Sequence, residues 1–315
     1  MDIKQFVDDS IRNIKQTVGD KKAILALSGG VDSSVCAALV SQAIGSHLTC
    51  VFVDHGLMRK GEREAVEDVF NNEFDVNLIV VDAQERFMTK LKNIEDPEEK
   101  RKIIGEEFIR VFEEEQAKLS DHDFLVQGTI AADIEESGKE GGKLVKSHHN
   151  VGGLPEDVNF ELVEPLRELY KADVRAAGRE LGLPEPMVAR QPFPGPGLGV
   201  RCLGEITEER LEILKEADYI LRDEVAKAGL EYDVWQYFVA IPDFKVVGKV
   251  NDERAFAYPI FIRGVISEDA KEATWYGFEE DFLRRLSKKI TDQIPQVVRV
   301  LYDITDKPPA TIEYE

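Results

Sequence analysis

The alternation of short apolar runs with helical patterns is the feature that most constrains the fold of this chain. It extends over roughly the first 180 residues, and the apolar runs are rich in β-branched side chains. Runs of this length and composition suit strands that are buried on both faces of a parallel sheet. The alternation therefore predicts an α/β fold with helices on both faces of the sheet. The predicted strands are Ala23–Leu27, Leu48–Val53, Leu78–Val81 and Phe124–Gln127, and ordered structure is predicted to resume at Leu162–Leu166. The predicted helices are Ser34–Ile44, Glu62–Phe70, Glu98–Leu119 and Lys171–Leu181.

A cluster of prolines marks the predicted end of this first region. Five prolines lie between Pro184 and Pro196, and proline fixes φ and removes a backbone donor, so neither a helix nor a central strand persists there. We therefore predict two domains, residues 1–187 and 188–315, the second a smaller α+β domain. Its predicted elements are helices at Glu208–Ala228 and Phe278–Ile290 and strands at Trp235–Ile241, Pro259–Ile266 and Val297–Tyr302.

The charge balance narrows the class of partner. With 40 Lys and Arg against 61 Asp and Glu, the formal charge is −21, which argues against a large nucleic-acid interface. No apolar run is long enough to cross a bilayer, and the first ten residues lack the features of a signal peptide. The three cysteines, Cys36, Cys50 and Cys202, have neither the spacing of a metal site nor that of a disulfide framework. We expect a soluble, cytoplasmic protein with no membrane or nucleic-acid partner.

The segment Ser28–Ser34, which reads SGGVDSS, lies between a predicted strand and a predicted helix. Glycines let the backbone turn sharply, and consecutive N–H groups, hydroxyls and a helix N-terminus together make a cradle for an anion. The alternative is a tight turn in which Asp32 and Ser33 cap the helix. Three serines and an aspartate around two glycines favour phosphate binding. The segment lacks the Gly-Lys-Ser/Thr of kinase P-loops and resembles the SGGxDS loop of the ATP-pyrophosphatases, which hold the pyrophosphate of ATP during adenylyl transfer.

Six further segments resemble one member of that group, GMP synthase, in the same order along the chain. The resemblance implies an adenine-nucleotide α-hydrolase-like domain of the ATP-pyrophosphatase type, followed by a dimerisation domain. It also implies that ATP activates XMP as an adenylate, which ammonia converts to GMP, AMP and pyrophosphate. The matching segments are Val51–Asp54 with Gly56-Leu57, Lys100–Gly105, Gln127–Ile130, Lys146–Pro155, Pro192–Arg201 and Lys307–Glu313.

The resemblance also implies roles for individual residues. The irregular stretch from Ile134 to Phe160 matches a mobile lid over the two nucleotides. This stretch also carries Lys139 and Lys143. The implied ATP-binding residues are Ser28, Gly29, Gly30, Val31, Asp32, Ser33, Ser34 and Val53, and the implied catalytic lid residues are Asp133, Glu136, Lys146, His148 and His149. The implied XMP-binding residues are Arg101, Gln236, Arg299, Lys307, Ile312 and Glu313, and the implied Mg²⁺ contacts are Asp32 and Asp133.

The terminal segment Lys307-Pro308-Pro309 could also be a frayed tail, although its two prolines favour an extended chain that presents Lys307 to an anion. Three positions depart from the GMP synthase pattern: Tyr314 replaces a common tryptophan, the turn at 251–254 lacks its usual glycines, and Gly264 replaces an alanine. Asn251 can take the positive φ that such a turn requires.

No cysteine lies on the glycine-flanked elbow that a glutaminase nucleophile requires. We therefore expect a separate glutamine amidotransferase subunit to supply ammonia, and we expect a homodimer formed through the second domain. Another ATP-pyrophosphatase, such as NAD synthetase or a tRNA thiolase, is the nearest enzymatic alternative. A nucleotide-binding sensor without turnover is the alternative from a different class of protein.

Overall fold

The computed structural model of the protein describes residues 2–119, 121–138, 160–250, 252–268 and 270–315, with the side chains of 136–138 left out. The chain divides into two compact units, each assembled from several stretches of sequence. The first unit comprises Met1–His55, Gly61–Ala83 and Gly105–Arg190, and the second comprises Gly56–Lys60, Gln84–Ile104 and Gln191–Glu315. In the described ranges, no helix is both long and apolar enough to span a membrane.

The first unit is built on the parallel sheet that the apolar runs predicted. Its strands follow the order β3-β2-β1-β4-β5, and every neighbouring pair runs parallel. β2 is buried along its whole length, as expected for an apolar strand covered on both faces. The strands are β1 (Lys22–Ala26), β2 (Leu48–Asp54), β3 (Asn77–Asp82), β4 (His122–Val126) and β5 (Glu161–Val163).

The helices of the first unit pack on its parallel sheet, and the other helices belong to the second unit. α2 is buried on nearly all sides because its residues are small or apolar throughout. The helix α5 is divided, since its residues up to Ile104 are counted with the second unit. The helices in the described part of the chain are α1 (Ile3–Val18), α2 (Val31–Ile44), α3 (Glu62–Asn72), α4 (Gln84–Leu91), α5 (Pro97–Ala117), α6 (Ala131–Gly138), α7 (Lys171–Glu180), α8 (Glu185–Val188), α9 (Glu208–Lys227) and α10 (Glu280–Gln293), with 3₁₀ turns at Gly45–His47 and Gly197–Val200.

The second unit contains a mixed sheet centred on one long strand. β8 pairs in parallel with β10 and antiparallel with β6, β7 and β9. The apolar faces of α9 and α10 are buried, and helices and strands are combined in this unit as the α+β prediction expected. The strands are β6 (Gln236–Ala240), β7 (Val246–Val250), β8 (Glu253–Ile266), β9 (Thr274–Trp275) and β10 (Val297–Tyr302).

Two departures from the GMP synthase pattern have a structural context in this unit. At Gly264, an added Cβ would lie 2.8 Å from Cε2 of Phe278 and 3.0 Å from the hydroxyl of Tyr302, so the bulk of these two rings requires a glycine. In the turn between β7 and β8, Asp252 adopts a positive φ of 64°. Asn251, the residue expected to take that conformation, lies outside the described residues.

Candidate functional site

The first candidate site is the loop between β1 and α2. α2 begins at Val31, its N-cap is Gly30, and no side chain caps it, so the capping turn considered for Asp32 and Ser33 does not form. The first turn of a helix leaves its N–H groups without partners inside the helix. Gly29 adopts a φ of 73°, a left-handed conformation that suits glycine. The loop therefore presents backbone donors and the positive end of the helix dipole, as anion binding requires.

Serine hydroxyls support the loop from within. The hydroxyl oxygens of Ser28 and Ser33 lie 3.0 Å apart, and the Ser33 hydroxyl donates to the carbonyl of Gly30 at 3.1 Å. The Ser28 N–H donates to the Ser33 hydroxyl at 3.3 Å. Ser34 is fully buried, and its hydroxyl has no hydrogen-bond partner in the described ranges. These contacts preorganise the loop and leave donors of the kind that phosphate oxygens accept.

Two cations contact the loop directly. Lys171, the first residue of α7, donates to both carboxylate oxygens of Asp32 at 2.8 and 2.6 Å. Arg190 donates to the carbonyl of Gly29 at 2.5 Å and pairs with Glu62 at 2.8 Å. Sequence reasoning missed both residues, because Lys171 and Arg190 lie more than a hundred positions from the loop, with no motif to connect them.

The implied Mg²⁺ contacts fit a site in which phosphate supplies most of the ligands. One oxygen of Asp133 accepts a hydrogen bond from the Ile130 N–H at 3.0 Å, at the start of α6. The described residues include no group of three His, Cys, Asp or Glu side chains that could hold a metal ion. Mg²⁺ commonly binds through one or two carboxylates plus substrate phosphates, so the donor set of Asp32 and Asp133 suits it. Asp32 would then exchange its Lys171 contact for the ion.

The remaining residues implied for the lid, or their side chains, are not among those that the structure describes. Lys146, His148 and His149, with the neighbouring Lys139 and Lys143, lie outside the described residues. Glu136 belongs to α6, but its side chain also lies outside the description. Val53, implied for ATP binding, is buried in β2 next to its carboxyl end.

The second candidate site is in the second unit and centres on Glu313. Arg201 donates to this carboxylate from two nitrogens, Nε at 3.1 Å and Nη2 at 2.9 Å. The side-chain nitrogen of Gln236 donates to Glu313 Oε1 at 2.9 Å. The structure therefore brings together two of the residues implied for XMP binding, Gln236 and Glu313. It adds the fully buried Arg201.

Residues 311–315, here called the tail segment, are held by buried cations from three distant stretches of chain. Arg201 binds the carboxylate of Glu313, as described above. Arg263 donates to the carbonyls of Thr311 and Ile312, both at 2.9 Å. Lys100, which is fully buried, donates to Glu315 at 2.5 Å and to the carbonyls of Gly199 and Cys202 at 3.3 and 2.9 Å. Ile312 packs with Phe238 and Val265 in a buried cluster. The frayed-tail interpretation is therefore wrong.

The other residues implied for XMP binding make no hydrogen bond to Gln236 or Glu313. Lys307 donates from its ammonium to the carbonyl of Ala270 at 2.8 Å. Arg299 is exposed on β10, and Arg101 pairs with Glu98 one turn away on α5. Arg299 and Arg101 thus lie on β10 and α5, and Lys307 lies after the end of β10.

The parallel sheet, with the SGGVDSS loop between β1 and α2, makes the first unit an α/β domain of the NAD synthase type. The NAD synthase family matches residues 3–107. The family described as GMP synthase C terminal domain matches residues 223–314. The resemblance to GMP synthase that the motifs predicted is confirmed, since the chain combines an NAD synthase-like domain with a GMP synthase C-terminal domain.

Relatives extend this match over nearly the whole chain. GMP synthase [glutamine-hydrolyzing] from Clostridium botulinum (strain Hall) is 58% identical over 313 residues, which are 99% of this chain and 61% of that protein. The enzyme of the same description from Geobacillus kaustophilus is 57% identical with the same coverage. The chain thus spans about three fifths of the length of these curated relatives. Among solved structures, the NH3-dependent NAD synthetase from Campylobacter jejuni has a TM-score of 0.45 at 13% identity, covering 72% of this chain and 88% of that one.

Proposed function

We propose that this chain is the ATP-pyrophosphatase, or synthetase, part of a GMP synthase. It transfers the adenylyl group of ATP to the 2-oxygen of XMP with release of pyrophosphate, and ammonia then displaces AMP to give GMP. The observation that carries the proposal is the 57–58% identity to GMP synthases across 99% of the chain, which includes both candidate sites. The NAD synthase family, which stands for the enzymatic alternative, matches residues 3–107, whereas residues 223–314 match the GMP synthase C terminal domain.

At the ATP site, the chain's own groups would bind and orient the phosphates. The free N–H groups at the start of α2 and the serine hydroxyls of residues 28–34 suit the pyrophosphate that leaves. Mg²⁺, held by Asp32 and Asp133 together with phosphate oxygens, would neutralise charge that develops on those oxygens. Lys171 lies within reach of the same carboxylate and would contribute a second positive charge next to the loop.

At the XMP site, the proposed contacts are Arg101, Gln236, Arg299, Lys307, Ile312 and Glu313. The fixed tail segment supports this proposal, because residues that contact a substrate act best when their positions are set before binding. Three buried cations provide that rigidity.

Ammonia would have to come from outside these 315 residues. Cys36, Cys50 and Cys202 are all buried, and removal from water raises the pKa of each thiol above its ordinary range. Because the thiolate is the nucleophile, none of the three is suited to attack glutamine. We propose that a separate glutamine amidotransferase subunit supplies the ammonia.

The experiment is to incubate the chain with Mg-ATP and ammonium and to offer XMP, IMP or nicotinate adenine dinucleotide in turn. We expect XMP alone to support release of pyrophosphate, with GMP and AMP as the other products. Glutamine should not replace ammonium until an amidotransferase is added. Release of ADP and phosphate would refute the proposed reaction, and binding of XMP without any product would favour the sensor alternative.

Substitutions of Lys146 in the lid and of Lys307 should have different effects on turnover and on the XMP requirement. If Lys146 contacts developing charge, Lys146→Ala lowers turnover on the order of 10²-fold or more and changes the XMP requirement much less. Lys307→Ala should show the opposite balance and mainly raise the KM for XMP. Near-normal turnover in Lys146→Ala, with only the XMP requirement raised, would reassign the lid to binding.

We also propose that residues 1–187 and 188–315 act as the ATP-pyrophosphatase and XMP-binding domains, and that the second forms a homodimer. Val247 and Phe256 support the dimer, because they lie opposite each other in the β7–β8 pair and are 40% and 65% exposed. Exposed apolar pairs of this kind are typical of interfaces. Light scattering should give about twice the 35.5 kDa chain mass, and a monomer at micromolar concentration would exclude the dimer.

A further inference from the structure

The hydrogen-bonding capacity of Glu313 is largely used by its protein neighbours. Its Oε2 accepts from Arg201 Nε, and its Oε1 accepts from Arg201 Nη2 and from Gln236 Nε2. A carboxylate has about four lone-pair positions, so roughly one remains for a ligand. The side chain is 20% exposed, which leaves that position accessible.

The orientation of the Gln236 amide follows from its neighbours. Its nitrogen lies 2.9 Å from Glu313 Oε1 and 3.3 Å from the carbonyl of Pro192, and both of these atoms can only accept. The amide nitrogen must therefore face them and spend both of its hydrogens there. The amide oxygen of Gln236 is left as an acceptor with no protein donor among the described residues.

Arg201 sets this arrangement and cannot easily move. Its side chain is 1% exposed, and its guanidinium carbon lies 5.1 Å from the ring centre of Phe193 and 4.3 Å from that of Phe238. The two rings and the two-point contact with Glu313 fix the plane of the guanidinium. The Glu313 carboxylate has no hydrogen to donate, and the Gln236 nitrogen is already used, so the groups of the pair that remain for a ligand only accept. Arg201 fixes where the carboxylate lies.

We propose that Arg201 is a positioning residue that determines specificity. It fixes the Glu313 carboxylate beside the Gln236 amide, and this pair of acceptors selects a purine with a ring N–H. A 6-oxopurine such as xanthine or hypoxanthine carries a hydrogen on N1. Adenine has a lone pair at N1, so an acceptor placed opposite it would remain buried and unpaired. This inference rests on the proposed function, in which the pair contacts the base of XMP. It explains how the XMP site excludes adenine nucleotides, which are both substrate and product of the proposed reaction.

The test compares IMP and AMP as competitors of labelled XMP. The two differ only in the base, and neither can be aminated at C2. The ATP site is first saturated with α,β-methylene-ATP, which cannot release pyrophosphate, so that AMP competes only at the XMP site. In the unmodified chain we expect IMP to displace XMP on the order of 10- to 100-fold more effectively than AMP. In Arg201→Met this preference should fall to within about threefold, and Arg201→Lys, which keeps one donor, should restore part of it.

Lys100→Met is the matched control, because it removes a buried cation from the tail segment without touching Glu313. This variant should weaken the binding of IMP and of AMP by similar factors and keep the preference for IMP. If Arg201→Met does not fold, Glu313→Gln provides the test. Its amide can turn an N–H towards the ligand, so the variant should bind AMP more tightly relative to IMP. An unchanged preference in a folded Arg201→Met, or in Glu313→Gln, would overturn the inference. Failure of the unmodified chain to bind XMP would instead refute the proposed function.

Discussion

The ion pair between Lys100 and Glu315 offers a direct measurement of what holds the tail segment. Lys100 is fully buried, and its ammonium has three acceptors, Glu315 at 2.5 Å and the carbonyls of Cys202 and Gly199 at 2.9 and 3.3 Å. Glu315 also accepts from the N–H of Gly204 at 2.7 Å, and its side chain is 11% exposed. Lys100→Met keeps the length of the side chain and removes the charge.

The expected loss follows from burial. Removing one partner of a buried ion pair costs about 3–5 kcal/mol, because the other charge remains out of water without compensation. Glu315→Gln should cost less, since the amide oxygen can still accept from Lys100. In the double variant the two losses should not add, and we expect a coupling energy of about 1.5–3 kcal/mol, the range for hydrogen bonds to charged groups.

The assay is urea unfolding followed by tryptophan fluorescence. Both tryptophans, Trp235 and Trp275, belong to the second unit, and Trp235 packs against the cluster that contains Ile312. Their emission therefore reports on the unit that contains the tail segment. The same variants should raise the KM for XMP while the KM for ATP stays constant. A coupling energy below about 0.5 kcal/mol, or an unchanged unfolding midpoint in Lys100→Met, would refute the reasoning.

Three further predictions concern single residues. Arg190→Met removes the donor to the Gly29 carbonyl and should raise the KM for ATP on the order of tenfold with the KM for XMP unchanged; equal effects on both would point to a general loss of stability. Gly264→Ala should lower the free energy of unfolding by about 1–3 kcal/mol, whereas the control Gly105→Ala, with nothing within 4 Å of the new methyl group, should leave it equal or higher. The thiol of Cys50, whose pKa is raised by burial, should react with an alkylating reagent only after unfolding, and fast labelling of the native chain would contradict its burial.

The sequence alone was sufficient for the parallel sheet and for the position of the SGGVDSS loop between β1 and α2. The apolar run of β2, the continuous apolar pattern of α2 and the glycines of residues 29–30 act within a few positions of each other, so their period and composition predict the local conformation. The motif segments likewise predicted the resemblance to GMP synthase that the family matches confirm. The minor elements of the second unit were not predicted, because β7, β9 and α4 are short and their patterns are weak.

The surroundings of the two candidate sites were decided by the tertiary structure. Lys171 and Arg190 meet the loop from 139 and 161 positions away, and Lys100 meets Glu315 from 215 positions away. No local pattern connects such pairs, because a cation at a given position pairs with whichever acceptor the fold places beside it. The sequence therefore predicted which residues carry phosphate and purine chemistry. The fold alone decided which cations hold them in place. For the buried Lys100 the physical reason is that the cost of burying a charge is met only by partners brought together from distant parts of the chain.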